Sequence, residues 1–316
     1  VSSADENDQP DMFAIADVEA EIQDNDAPGV TISVPDDFKA TEDGDTASYG
    51  VKLNSQPTAD VIVRMSNPDG QTELAPMALK FTTDDWDTER SVTVSAVDDT
   101  IVEGLHSGTI MHNVISDDPF YKDEMFAIDN AKVEIKDNDS AGVRIVPTSV
   151  EVAEGGSTAT YSVTLTSMPT GTVGLAVQPA DNQTTVSLES GESVMQFDTT
   201  NWNTGYQVTV EAVDDMISEE THYGFITHAI TESNDANYQP KLFWVDQVKA
   251  EIEDNDAPGV IIQPTSLNMS EGGETASYSV TLTTIPTRTV SISLTIDNQV
   301  EVSPGILTFE PSVDGV

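Results

Sequence analysis

Three kinds of acidic cluster recur along this chain, each at a fixed place in a repeating pattern. A glutamate stands seven residues before a tyrosine in glycine-containing turns, at Glu42, Glu154 and Glu271. The second cluster is Asp98-Asp99 with Glu103, matched by Asp214-Asp215 with Glu219 and Glu220. The third is the phrase Asp-Asn-Asp, at 24–26, 137–139 and 254–256. Carboxylates drawn from several loops can supply the roughly six to eight oxygens that a hard cation such as calcium takes. Without a cation the same groups repel one another at close range. The competing reading is a set of solvated acidic loop ends that bind nothing.

The elements that would carry these clusters repeat with them. The phrase Glu-Ile-x-Asp-Asn-Asp begins at Glu21, Glu134 and Glu251, and its copies lie 113 and 117 residues apart. A period of that length means tandem domains. Ala47 to Leu53, Ala159 to Leu165 and Ala276 to Leu282 align on Tyr49, Tyr161 and Tyr278. They alternate apolar and polar residues with period two, as strands with one face on a core do. A Pro-Thr turn signal follows each, at Pro57, Pro169 and Pro286. Alternation returns around Val92/Val94 and Val208/Val210, and no window carries a helical stripe. With opening strands at Val30, Val143 and Val260, each repeat reads as about seven short strands. The expected fold is all-β: tandem seven-stranded antiparallel β-sandwiches in a rod-like array. The expected boundaries are a partial repeat over 1–26, full sandwiches over 27–139 and 140–256, and an incomplete one over 257–316. In sandwiches, loops at one end meet, so sequence-distant clusters can converge.

Trp86 and Trp202 each follow a phenylalanine (Phe81, Phe197) by five residues, and they read as aromatic core plugs. The third repeat has Phe309 but Asp314 where tryptophan is expected. Joints of three residues, each including glycine, separate one Asp-Asn-Asp phrase from the next opening strand, too few for a floppy coil.

Composition narrows the function. The 316 residues hold 12 Lys and Arg against 56 Asp and Glu, a formal charge of −44. Such a surface repels nucleic acid and anionic membranes and concentrates cations. There is no cysteine, hence neither disulfide nor thiolate metal site. No apolar run approaches the roughly 18 residues of a membrane span. The chain opens at Val1 in mid-repeat with no leader, so it reads as a processed protein or a segment of a longer one.

Glutamate in a glycine-containing loop, Val-Asp-Asp-x-x-x-Glu after a strand and Ile-x-Asp-Asn-Asp at a domain end together resemble the Calx-beta domain. The resemblance covers essentially the whole chain. It implies calcium-binding β-sandwiches of the kind found in large surface proteins. It implies a first site of Glu42, Asp98, Asp99, Glu103, Asp137 and Asp139, and a second of Glu154, Asp214, Asp215, Glu219, Asp254 and Asp256. The Asn within Asp-Asn-Asp departs from an all-acidic cluster and lowers its charge. An EF-hand reading of Asp24 to Gly29 fails, because Pro28 occupies a ligand position and no glutamate closes the loop. A cadherin-like joint is the nearer rival.

The histidines pair by repeat, His106 with His222 and His112 with His228. Six residues along a strand span roughly 20 Å, too far to share one metal, so structural or surface roles are expected. No nucleophile elbow, phosphate loop or Cys-His pair exists, and repetition argues against a unique active site; an enzyme is not expected. Asn-x-Ser/Thr sequons stand at Asn138, Asn182 and Asn268, with Asn182 the best placed for a glycan. The Pro-Thr turns could carry O-linked sugars.

The expected function is an extracellular or cell-surface structural protein, a fibre or stalk stiffened by calcium at its joints. Its expected partners are other copies of itself, assembled head to tail, and surface glycans. One route to assembly is donation of strand 1–26 to the incomplete sandwich of another copy; the alternative is a cut array. Two rival functions remain: the stalk or binding region of an adhesin, with Phe243-Trp244 as its one candidate contact, and a calcium-sensing module.

Overall fold

The computed structural model describes residues 16–189 and 191–311. The donor strand expected over 1–26 lies partly outside these residues, as does Asp314. Residues 16–29 have no regular secondary structure and are largely exposed. The chain divides into two compact units, one of residues up to 98 together with 105–136, the other of 99–104 together with 137 onward.

Among its described residues the first unit holds nine strands: β1 (Val30–Ser33), β2 (Lys39–Thr41), β3 (Ala47–Leu53), β4 (Val61–Ser66), β5 (Thr72–Ala75), β6 (Ala78–Phe81), β7 (Arg90–Ala96), β8 (Leu105–Ser116) and β9 (Ala131–Lys136). They form a four-stranded sheet in the order β1-β3-β7-β5 and a five-stranded sheet in the order β2-β9-β8-β4-β6. The alternating residues read from the sequence point between these sheets: Tyr49, Val51, Leu53, Val61, Val63, Phe81, Val92 and Val94 are all buried. Trp86 packs half-buried against the same core, as the plug reading requires.

The second unit repeats the arrangement. Its strands are β10 (Val143–Val146), β11 (Ser149–Ala153), β12 (Ala159–Leu165), β13 (Val173–Pro179), β14 (Thr184–Leu188), β15 (Val194–Phe197), β16 (Tyr206–Ala212), β17 (His222–Ser233) and β18 (Val248–Glu253). The sheets run β10-β12-β16-β14 and β11-β18-β17-β13-β15. Beyond them, among the described residues, lie only β19 (Val260–Gln263) paired with β20 (Ser279–Leu282), and β21 (Val290–Ser293) paired with β22 (Ile306–Phe309).

The architecture is the expected all-β sandwich, but each full repeat has nine strands rather than seven. The added pieces are short. After the opening strand the chain crosses to the opposite sheet, where β2 and β11 pair in parallel with β9 and β18; among the described residues all other pairings are antiparallel. Segments of three to five residues carry too little alternation to stand out in sequence, and a parallel partner about 100 residues away leaves no local mark.

The turn after each tyrosine strand has a non-local clamp. In the second repeat the Asp235 carboxylate accepts from Thr170 N at 2.6 Å and from its hydroxyl at 2.9 Å, while the Tyr238 hydroxyl donates to Ser167 O at 2.9 Å. Asp118 with Thr58 and Tyr121 with Ser55 do the same in the first. The two Pro-Thr hydroxyls proposed for O-linked sugars are thus engaged as donors. The glycines of the joints also have a reason: Gly142 O and Gly259 O accept from Thr166 N and Thr283 N, each at 3.0 Å. A Cβ there would meet those threonine hydroxyls at 3.1 and 3.0 Å.

Candidate metal centre

The second full repeat shows why its acidic loops meet. β11 and β18 are parallel neighbours, so both end at the same edge of the sheet, and β17, antiparallel to β18, begins there. Glu154 follows β11, Glu219 precedes β17, and Asp254 and Asp256 follow β18. Asp214 and Asp215 arrive from the facing sheet, just after β16.

Backbone and side-chain bonds hold these loops. Glu154 N donates to Glu253 O at 3.0 Å, extending the parallel ladder by one rung. The Asn255 amide donates to Glu154 O at 2.7 Å and to Asp214 Oδ1 at 3.0 Å. The asparagine of Asp-Asn-Asp is therefore a tie between loops, which accounts for its departure from an acidic residue. Gly155 lies in the left-handed region at φ +57, and a Cβ would sit 2.9 Å from that Asn255 amide, so glycine is required. Asp254 accepts from Asp256 N at 2.7 Å and from Glu219 N; Asp215 accepts from Ile217 N at 2.6 Å.

Two sets of ligand atoms result, each with all atoms within 4.8 Å of one another: Glu154, Asp254 and Asp256, and Glu154, Glu219 and His222. Glu154 belongs to both. It is 3 % exposed, and its Oε2 is buried without a hydrogen-bond partner, as is Asp256 Oδ2. A buried, unpartnered carboxylate oxygen is costly unless something positive meets it. Burial, then Asp215 and Asp254, push the Glu154 carboxyl upward in pKa, with His222 opposing. Burial and then Asp254, Asp214 and Asp215 raise Asp256. Asp254 moves down, because the amides of Asp256 and Glu219 stabilise its charge. The donor set is rich in hard oxygens and short of positive charge, and it fits a divalent cation.

Of the six residues expected for this site, the structure brings Glu154, Glu219, Asp254 and Asp256 together. Asp214 and Asp215 stand beside them, close enough to raise their neighbours' pKa values. In the first unit Glu42 is buried after β2, its amide donating to Lys136 O at 3.1 Å, and Asp98 follows β7. In the second, Asp137 Oδ2 accepts from Glu103 N and Gly104 N, both at 2.7 Å. There Asp99 accepts from Ile101 N at 2.7 Å, and Asp139 N donates to Asp137 at 2.7 Å. Glu271 of the third repeat is exposed.

The histidines divide into two kinds. His228 Nδ1 donates to Asp246 O at 3.1 Å, so its Nε2 accepts the buried Tyr161 hydroxyl at 2.8 Å; His112 does the same with Asp129 O and Tyr49. Burial holds both imidazoles below their ordinary pKa, and their role is structural. His222 instead faces the carboxylates, 3.5 Å from Glu219 Oε2 and 3.9 Å from Glu154 Oε1. The expectation of a structural or surface histidine did not include these acidic neighbours. The signal was present as Glu-x-x-His at both Glu103–His106 and Glu219–His222.

The sequon asparagines Asn138, Asn182 and Asn268 are all exposed, and Asn182 lies in the turn before β14.

No family model matches the sequence, and no curated protein does. Solved structures similar to the chain include CBD12 from CALX1.2, 15% identical with a TM-score of 0.30 over 68% of this chain and 96% of that one. The calcium binding domain CBD12 of CALX1.1 is 17% identical with a TM-score of 0.27, covering 63% of this chain and 78% of that one. The D00-D0 domain of intimin is 11% identical with a TM-score of 0.24, covering 70% and 96%. Such identities and scores carry no function across. Among the described residues no helix is long and apolar enough to cross a membrane.

Proposed function

We propose that this chain is a length of an extracellular structural array, in which calcium held at the end of each sandwich stiffens the joint to the next. The observation that carries the reading is the double duty of one loop. Residues 214–219 bring Asp214, Asp215 and Glu219 to the acidic site, and between them Met216 O accepts from Ile285 N of the following repeat at 2.7 Å. The matching loop in the first repeat has Thr100 O accepting from Met168 N, also at 2.7 Å, and Val102 O accepting from Asn237 Nδ2 at 2.9 Å. Whatever orders the loop also orders the joint. Glu154, Asp254 and Asp256 would hold the ion, with Glu219, Asp214 and Asp215 adding charge. Bound calcium would offset the repulsion among these carboxylates. The motif-level resemblance to Calx-beta repeats supports the same reading.

Melting the chain in calcium and in chelator tests it. Binding at about 100 times Kd adds roughly 2.7 kcal/mol, a rise of about 10 °C for a repeat of this size. D214A/D215A should remove the second repeat's share, and D98A/D99A the first's. Identical melting of wild type in both conditions would sink the calcium role. Electron microscopy in millimolar calcium tests the array itself: regular fibres support self-assembly, whereas separate particles leave a stalk.

A second reading rests on Trp244, which is 82 % exposed beside a groove of about 630 Å³ bordered by Thr227, Ile230 and Pro240. Phe243 packs edge-on against Tyr238, with ring centroids 5.9 Å apart, and anchors the segment. An exposed indole on a fixed support could stack on a sugar ring. Loss of glycan binding in W244A, on an array of surface glycans, would favour this adhesive role.

A further inference from the structure

We infer that the site in the second full repeat has two cation positions bridged by Glu154. One is an all-oxygen position, and the other is a nitrogen–oxygen position, formed with Glu219 and His222, that takes a first-row transition ion of the zinc class. The inference deepens the calcium reading and rests on it for the all-oxygen position only. Its starting point is that the two sets of ligand atoms share Glu154 and differ in chemistry. Asp254 and Asp256 offer only hard oxygen. The other set adds an imidazole nitrogen, a donor that calcium does not seek and that zinc-class ions favour.

The geometry around His222 is that of a metal-ligating imidazole. Its Nδ1 lies 3.2 Å from Glu220 O, and a carbonyl can only accept, so Nδ1 carries the proton. Nε2 faces three oxygens, Gln183 Oε1 at 3.1 Å, Glu219 Oε2 and Glu154 Oε1. Three oxygens around one ring nitrogen call for a positive centre there, either a second proton on the imidazole or a bound cation. A backbone carbonyl on the far ring nitrogen is the arrangement that orients histidine ligands toward metals. Glu154 adds the independent sign: its side chain is 1 % exposed, and its Oε2 has no hydrogen-bond partner. One carboxylate with one oxygen toward His222 and the other unpartnered is placed to bridge two ions. Gln183 can offer a further oxygen ligand to the second.

The first full repeat carries Glu42, Gln71, Glu103 and His106 at the corresponding sequence places, so the test begins from a chain with H106Q already in place. Zinc chloride is titrated calorimetrically into H106Q and into H106Q/H222Q, with saturating calcium present throughout. The H106Q chain should show one tight zinc step, and H222Q should weaken it by at least about tenfold. In a long-range proton–nitrogen spectrum the His222 Nε2 resonance should move on zinc addition while its Nδ1 proton stays. Equal zinc affinity in the two chains, or an unmoved Nε2 resonance, would overturn the nitrogen–oxygen position. An Nε2 that is simply protonated and ignores zinc is one form of that outcome. The calcium titration separates the two readings. Calcium binding without histidine-dependent zinc binding removes only this inference. Histidine-dependent zinc binding without calcium binding keeps the nitrogen–oxygen position and removes the all-oxygen position together with the calcium role.

Discussion

The second full repeat and the partial third one start from nearly the same sequence and end in different physical states. Glu154-Gly155-Gly156 and Glu271-Gly272-Gly273 are the same turn, and Gly155 and Gly272 share the left-handed backbone, at φ +57 and +69. Yet Glu154 is buried and Glu271 is exposed. Tyr161 is buried and bonded to His228, whereas Tyr278 is half-exposed. β10–β12 and β19–β20 pair in the same register, from Val143↔Leu165 and Val260↔Leu282. The local hairpin-like pairing thus survives without the remaining strands. Burial and the acidic site do not, because both are made by β16, β17 and β18, which have no counterpart in residues 257–311. Local sequence makes the turn, and distant strands make the site.

Four experiments would break or sharpen that comparison. The largest effect is expected from the paired phenylalanines. Phe197 is fully buried between the sheets, so F197A should cost about 3–5 kcal/mol in urea unfolding of the second repeat. F309A, in the exposed partial repeat, should cost under about 0.5 kcal/mol; similar losses would mean that residues 257–311 have a core of their own. Next is the site glutamate. E154Q should abolish the second repeat's share of calcium-dependent stabilisation, about 2–3 kcal/mol at high occupancy. E271Q should leave it intact, and melting curves of both in calcium and chelator decide the matter.

A smaller effect concerns the tyrosine–histidine bond. Y161F leaves His228 Nε2 buried without its donor and should cost about 1–2 kcal/mol, while Y278F should fall within about 0.5 kcal/mol of wild type. Equal effects in denaturant melts would show that this bond contributes nothing. The smallest is a pH effect in chelator. A carboxyl whose pKa is raised by folding favours the folded state when protonated; that contribution is present below its unfolded pKa and is lost as pH rises through the folded one. Glu154 is such a group, so wild type should gain stability relative to E154Q as pH falls from 7 toward about 4.5, near the ordinary carboxylate range. Asp254, shifted the other way, loses stability over the acid range in both proteins. A wild-type-minus-E154Q difference that is flat with pH would contradict the burial assigned to Glu154.

Much of this was legible in the chain. The tyrosine strands, the valine strands and the terminal Asp-Asn-Asp strands were all read from period-two alternation, since a strand with one buried face must alternate whatever its partner is. Recurrence in three loops suggested that acidic clusters converge, and the Calx-beta resemblance supplied the set from which Glu154, Glu219, Asp254 and Asp256 come. β11 was not legible, because a strand of five residues paired in parallel far along the chain has no local signature. Nor was the tie made by Asn255, which looked like a weakened acidic position until its two acceptors, Glu154 O and Asp214 Oδ1, were in place. His222 was missed for a related reason: its partners are one residue three positions back and another 68 positions away in sequence.

By itself, then, the sequence determined the repeat, its all-β character, the faces that go inward and the residue types available at the strand ends. Those properties are set by periodicity and composition, which are local. The tertiary structure alone decided which carboxylates lose their water, which asparagine binds rather than ligates, and which histidine faces the acids. Desolvation and hydrogen bonding depend on atoms brought close by strand order and register, and in this fold those atoms come from strands up to about 100 residues apart.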